Sequence, residues 1–302
     1  MQTIYFHNKV RKPVSKDVVI GIGKFDGLHI GHQKVIRTIM DTAKDKKIIP
    51  AVFTFKDFPC NFYLYPWEER INFFKNAGIK LCIWSDFEKI KLWEPDKFLE
   101  RLKKFYKVSH IVVGKNFKFG LYRKGDEKFL LSWGEKNNVS ISIVSPVIMN
   151  TQPVSSSRIR SLVKQGSVHT VYEMTGRYFS VTGRVVKGIN LAKKLGTPTA
   201  NLEFTNDVHI YPGVYVAVIK YGNRLLRGIA YYGSSPTVSL NQERFEVHLF
   251  DFLKNVYGKK LKVYLIKKIR QEKTFPSQES LKEQIEKDIH TAKTCDINGT
   301  IR

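Results

Sequence analysis

The stretch DVVIGIGKFDGLHIGHQKVIRTIMDTAK, residues 17–44, decides the fold. An apolar run gives way, through a glycine-punctuated loop, to a segment whose apolar residues Val35, Ile36, Ile39, Met40 and Ala43 return with helical period. A strand apolar on both faces and followed at once by a helix reads as one unit of a parallel sheet wrapped by helices. His29 and His32 stand where the strand hands over to the helix. Unpaired amides and the positive end of the helix dipole meet there, so the loop is expected to bind phosphate. Gly27 and Gly31 leave room for a triphosphate to approach, and Gly23 permits the tight exit from the strand. Two histidines one turn apart also suit a metal pair or a satisfied core pair. The glycines and the Phe25-Asp26 pair favour the phosphate reading.

Working outward, residues 17 to about 146 alternate β-branched runs with helical periods: IIPAVFTF, helix 67–77, IKLCIW, helix 95–106, HIVVG, helix 126–137 and VSISIV. The alternation predicts a Rossmann-like half whose sites lie at the carboxyl ends of its strands. After short helices at 156–164 and 167–175 the texture changes at Gly176. YFSVTGRVV, TANLEF, GVYVAVIKY, LLRGIAYY, RFEVHLFDF and KLKVYLIKKI follow one another across short turns, as in an antiparallel barrel. A terminal helix is expected from Ser277, with Leu281, Ile285 and Ile289 closing one side of the barrel, and 293–302 as a frayed polar end. The reading is α/β: a first domain at 1–175 and a small β-barrel domain with a C-terminal helix at 176–302.

A chain of 302 residues suits two domains. Its formal charge of +24 arises from 51 Lys and Arg against 27 Asp and Glu. That field attracts nucleic acid, anionic membranes and nucleotides alike, and its spread along the chain points to a lysine-rich solvated surface. Cys60, Cys82 and Cys295 are too few and scattered for a zinc site or disulfide framework. Without a leader pattern, or a run approaching the roughly 20 apolar residues of a membrane span, the chain is expected to be cytoplasmic.

The run GKFDGLHIGH at 23–32 resembles the HxGH nucleotidylyltransferases. In this longer form it resembles the N-terminal half of the bifunctional bacterial FAD synthetase family, riboflavin kinase joined to FMN adenylyltransferase. Two further segments agree. VSSSRIR at 154–160 resembles the family's ISSTxxR, so Ser155, Ser156, Ser157 and Arg160 are expected on phosphate oxygens. VGKNFKFGLYRKGD at 113–126 resembles its GxDFxFGxxRxGD loop, implying flavin contacts at Asn116, Phe117, Phe119 and Arg123, although both phenylalanines also fit plain core positions. FTFKDFPC at 53–60 departs from the family, with Phe58 where a histidine is frequent.

In the second half TPTANL at 197–202 and FEVHLFDF at 245–252 resemble the two riboflavin kinase signatures. The resemblance implies Glu246 as the base for a neutral hydroxyl, and Thr199 and Asn201 as oxygen ligands for Mg²⁺ and ATP phosphates. GRVVKGINLAKKLG at 183–196 resembles the phosphate flap, implying Gly183, Lys187, Gly188 and Lys193 at phosphate, with Ala192-Lys193 where Gly-Arg is usual. IRQEKTF at 269–275 implies Arg270 at the flavin. No GxxxxGK[ST] loop is present.

The family implies that riboflavin and ATP give FMN in the C-terminal domain. FMN and ATP then give FAD and pyrophosphate in the N-terminal one, with Mg²⁺ accompanying ATP. Expected partners are these small molecules, with no specific nucleic acid or membrane, on a monomer or weak oligomer. The alternatives are a homologue keeping one activity, the departures at Phe58 or Ala192-Lys193 having silenced a half, and a basic nucleic-acid-binding regulator on this scaffold.

Overall fold

The computed structural model describes residues 1–6, 15–187, 198–204, 209–234, 243–252, 254–297 and 301. The chain parts into two compact units, Met1–Ser156 and Ser157–Arg302.

The first unit holds β1 (Gln2–Tyr5), β2 (Val18–Ile22), α1 (Ile30–Lys46), β3 (Ile49–Phe55), α2 (Trp67–Asn76), β4 (Leu81–Ser85), α3 (Phe87–Ile90), α4 (Pro95–Tyr106), β5 (Val108–Gly114), α5 (Glu127–Lys136) and β6 (Ser140–Val144). The strands form one parallel sheet in the order β1-β4-β3-β2-β5-β6. All five residues of β2 are buried, as its apolar run requires of a central strand. Gly21 lets α1 lie close: a Cβ there would fall 2.3 Å from the Ile39 side chain. That contact holds the middle of α1 against β2, whose carboxyl end leads into the loop that starts the helix. Strand β1 was not read from the sequence. Four residues carry too little alternation to register, yet Ile4 and Phe6 join the core. A two-residue hairpin pair, β7 (Ile148–Met149) and β8 (Gln152–Pro153), leads out of the unit.

The second unit begins with α6 and α7; α6 spans Ser156–Lys164, starting on the last residue of the first unit, and α7 spans Val168–Thr175. Contacts thus group both with the barrel that follows, although the change of sequence texture falls later, at Gly176. The Tyr172 ring stacks on Tyr178 at 4.3 Å, and Lys268 Nζ donates to the Gln165 carbonyl at 3.1 Å. The barrel strands are β9 (Phe179–Val186), β10 (Ala200–Phe204), β11 (Gly213–Tyr221), β12 (Arg224–Ser234), β13 (Glu243–Leu249) and β14 (Lys260–Gln271), followed by α8 (Gln278–Thr294). They close on themselves in the order β10-β13-β12-β11-β14-β9.

One expectation about the end of the chain holds and one is corrected. Strand pairing closes the barrel into a ring, and α8 covers one side of it, with Ile289 and Ala292 packed in an apolar cluster with Val216, Val218, Tyr264 and Ile266. That cover explains why β11 is buried on both faces from Gly213 to Ile219. Cys295, Ile297 and Ile301 are more than a frayed tail. Ile297 and Ile301 pack on the same cluster, and Arg227 Nη2 donates to the carbonyls of Ala292 at 2.8 Å and Cys295 at 2.7 Å. The N-cap at Ser277 is as expected, in a reciprocal capping box with Ser280.

Candidate active sites

The loop after β2 is built on strain. Phe25 and Leu28, both buried, hold left-handed φ values of 49° and 43°, a conformation costing a side-chain-bearing residue about 1–2 kcal/mol. Such strain persists where surrounding packing over-determines the backbone, commonly at functional sites. The Phe25 ring stands edge-on to His32 at 5.3 Å and to Phe74 at 5.5 Å.

His29 is the N-cap of α1, its Nδ1 accepting the His32 N–H at 3.3 Å. The proton of the neutral ring therefore sits on Nε2. The two imidazoles stack at 3.7 Å. Burial pushes His29 down to about 4, and burial together with its neighbour lowers His32 well below the ordinary range. Near neutral pH the pair supplies N–H groups and no charge.

Gly27 and Gly31 do more than leave room for a ligand. A Cβ on Gly27 would meet Ser156 Oγ at 2.9 Å, and one on Gly31 would meet the His29 ring at 3.1 Å. The structure thereby brings the GLHIGH loop and the Val154–Ser156 segment together. Gly23 lies against the Phe25 ring, 3.3 Å from a Cβ placed there. Asp26 is 1% exposed and accepts the Leu64 N–H at 3.2 Å, so it holds a neighbouring segment. Ser157 and Arg160 follow on α6 in the second unit.

Phe58 is a buried platform. Lys24 Nζ lies 5.0 Å and the Arg70 guanidinium 5.4 Å from its ring centre. Arg70, fully buried on α2, went unnoticed in the sequence, because WEERINFF reads as an ordinary amphipathic helix.

In the loop after β5, Phe117 and Phe119 stack on each other at 5.2 Å and pack against the core, with Phe119 also 6.0 Å from Phe98 and from Phe129. Asn116 has a φ of 70°, and Arg123 is exposed with a φ of 60°. Tyr122, not singled out in the sequence, is 83% exposed at a φ of 51°. Its loop is pinned by the Leu121 N–H to the Trp93 carbonyl at 2.7 Å and by a Lys124–Glu94 ion pair at 3.3 Å.

On the barrel, three residues expected to act together converge. Asn201 lies opposite Glu246 in the β10–β13 ladder, and the Thr199 hydroxyl donates to Glu246 Oε2 at 3.1 Å. His248 Nδ1 donates to the Pro198 carbonyl at 2.9 Å, fixing the start of the TAN segment to the same strand. Phe245, Val247 and Leu249 are buried while Glu246 and His248 are half-exposed, as period-2 alternation requires.

Tyr231 pairs with Glu246 from β12, and its hydroxyl donates to Glu272. Burial and the two carboxylates push this phenol well above its ordinary value. Glu272 is a second acid here that sequence reasoning passed over, two residues beyond Arg270. Arg270 itself is engaged by Asp288, with Nε at 3.0 Å and Nη2 at 2.8 Å from Oδ2, and Asp288 is 2% exposed on α8. Gly183 is a close-packing position, where a Cβ would fall 2.7 Å from the Glu203 carbonyl. Lys187 is exposed just past β9, and Gly188 and Lys193 lie outside the described residues.

Among the described residues no group of three or more His, Cys, Asp or Glu could hold a metal ion, and no helix is long and apolar enough to cross a membrane.

Comparison with known proteins divides the chain in the same way. Residues 11–158 match the FAD synthetase family and residues 175–295 the riboflavin kinase family. The bifunctional riboflavin kinase/FMN adenylyltransferase of Buchnera aphidicola subsp. Schizaphis graminum is 31% identical over 296 residues, covering 93% of this chain and 95% of its own. Its namesakes in Haemophilus influenzae and Bacillus subtilis are each 30% identical, covering 95% and 97% of this chain and 96% and 97% of theirs. A crystal structure described as a macrolide-efflux protein from Streptococcus pneumoniae superposes with a TM-score of 0.87 at 28% identity, covering 97% of this chain and 99% of its own.

Proposed function

The chain belongs to the bifunctional riboflavin kinase/FMN adenylyltransferase family, and from that premise we propose how its two centres divide the work. It phosphorylates riboflavin to FMN and converts FMN to FAD. We assign the first reaction to 176–302 and the second to 1–175, with ATP as donor in both. The observation that carries the assignment is the convergence of each motif set: Thr199, Asn201 and Glu246 on the barrel, and the His29-capped loop with Ser155 and Ser156 on the parallel sheet.

At the barrel centre the nucleophile is a neutral hydroxyl of riboflavin. Glu246 accepts its proton as the oxygen bonds to the γ-phosphorus of ATP and ADP leaves, an effect worth roughly 10²–10⁴-fold. The Thr199 bond orients the carboxylate. The donors here are all oxygen, which fits Mg²⁺, a cation that takes few protein ligands and retains phosphates and waters. Thr199 and Asn201 would hold it, and it would supply neutralisation of charge on the phosphates.

At the sheet centre the nucleophile is the FMN phosphate, already largely ionised near neutral pH, and no base is required. Its oxygen bonds to the α-phosphorus of ATP and pyrophosphate leaves. Catalysis then rests on alignment and on donors aimed at developing charge. His29 Nε2–H and the first amides of α1 are such donors. The serines at 155–157 add hydroxyls, and Arg160 adds the cationic fork that the neutral histidines lack. In this reading Asn116, Phe117, Phe119 and Arg123 frame the flavin of FMN, and Gly183, Lys187, Gly188 and Lys193 the phosphates at the kinase centre.

We place the protein in the cytoplasm as a monomer or weak oligomer with no specific nucleic acid or membrane partner. Neither Cys82 nor Cys295 is in a disulfide, as a reducing compartment favours. Flavins separated by chromatography after incubation with riboflavin, ATP and Mg²⁺ should show FMN and then FAD, and EDTA should abolish both. Accumulation of FMN alone, under oxidising and reducing conditions alike, leaves a one-activity homologue as the reading.

A further inference from the structure

Arg70 reaches from α2 to the carboxyl edge of the sheet and collects carbonyls from the ends of two strands. Its Nη1 donates to Lys24 O at 3.1 Å and Phe55 O at 2.8 Å, and its Nη2 to Lys56 O at 2.6 Å. The Lys24 carbonyl accepts a second bond, from Thr54 Oγ1 at 3.0 Å, and both donors are buried. A carbonyl has two lone pairs, so this one is saturated by two buried donors. The next residue is Phe25, which holds the left-handed φ of 49°.

The clamp lies beyond the ladder between β2 and β3. Strands β2 and β3 are already joined from Val18↔Ile49 to Ile22↔Phe53, and Arg70 acts beyond that register. A buried guanidinium is costly to desolvate, and an apolar side chain of similar volume would serve packing as well or better. What an apolar residue cannot do is fix the orientation of the Lys24–Phe25 peptide. We propose that Arg70 is a positioning residue of the adenylyltransferase centre. With Thr54 it holds the turn at Phe25 and so sets where the following amides and His29 meet the nucleotide phosphates. The inference rests on reading that loop as the ATP phosphate site. Lysine cannot reproduce the planar fork that spans three carbonyls.

The test uses the full chain carrying Arg70→Met, Arg70→Lys, Thr54→Val, or Thr54→Val with Arg70→Met. KM for ATP and kcat are measured for FMN-to-FAD conversion, and riboflavin phosphorylation is measured on the same samples. Arg70→Met should lower kcat/KM for FAD formation roughly ten- to a hundredfold, as expected of a small misplacement of reacting groups. Kinase constants should not change. Arg70→Lys should fall between Met and wild type, and Thr54→Val should act in the same direction by less. The double variant should lose less than the two singles combined, because one carbonyl is shared. Thr54→Val removes a single hydroxyl and guards against a variant that fails to fold. Folded variants with wild-type constants for FAD formation would overturn the clamp. A loss that vanishes at lower temperature, where the variant is fully folded, would do the same. Wild type that makes no FAD would sink the site reading and the clamp together, whereas unchanged variants of an active wild type sink the clamp alone.

Discussion

The Thr199 hydroxyl donates its hydrogen bond to Glu246 Oε2 at 3.1 Å, across the ladder that also sets Asn201 opposite the glutamate. One oxygen of the carboxylate is thereby oriented from the strand that carries the TAN segment, and the carboxylate cannot swing away without breaking that bond.

Glu246→Gln keeps an oxygen able to accept the Thr199 bond and removes the basic site. FMN formation from riboflavin should fall by roughly 10²-fold or more while FMN-to-FAD conversion proceeds at the wild-type rate. Separate steady-state assays with riboflavin and with FMN decide it. Equal loss of both activities in a folded protein argues against independent centres.

His29→Asn tests the opposite site. Asparagine is a good N-cap, so α1 keeps its start while the imidazole N–H is lost. FAD synthesis should drop, by about 10²-fold if His29 donates to the transition state, and kinase turnover should hold. A wild-type rate of FAD formation removes His29 from the chemistry.

The same substitution changes a pH dependence. His29 is held at about 4, below its ordinary 6.5, so between these values the unfolded chain binds a proton that the folded one does not. Stability is therefore complete above about pH 6.5 and is lost as pH falls toward 4, by an amount on the order of 3 kcal/mol for this one group. Urea titrations of the first unit at a series of pH values should show a flatter profile for His29→Asn than for wild type.

Asp288→Asn replaces the carboxylate that pairs with the Arg270 guanidinium by an uncharged, buried amide. Breaking a buried pair from one side costs about 3 kcal/mol, less here because the Arg270 side chain is 20% exposed. The barrel's denaturant midpoint should fall, with no change in the transition of the first unit. If Arg270 also touches the flavin, KM for riboflavin rises with it.

The +24 charge predicts binding to random RNA or DNA that weakens steeply with salt and prefers no sequence. Filter binding at physiological ionic strength should show ATP outcompeting nucleic acid. A sequence held at roughly 10⁻⁸ M or tighter would reveal a regulator.

The parallel sheet was legible from apolar runs alternating with helical periods, the barrel from strand runs separated by turns, and the loop at 23–32 because glycine spacing is a backbone requirement. Thr199, Asn201 and Glu246 were legible as a set only through motif resemblance. Arg70, Tyr231 and Glu272 were not legible, since each acquires its meaning from partners far off in sequence: Lys24 and Phe55, Glu246, and Tyr231 respectively. The apolar cover over β11 was hidden for the same reason. Ile297 and Ile301 sit among polar neighbours, and only the fold shows what they pack against.

Strand β1 carries a consequence for the order of events during synthesis. Residues 2–5 are made before their hydrogen-bonding partners, residues 81–84 of β4. Through the emergence of some 75 residues this segment, with Ile4 and Phe6 bound for the core, lacks the strand it pairs with. This edge of the sheet is completed late, so the nascent first unit stays open to chaperones and crowding while β4 is being made.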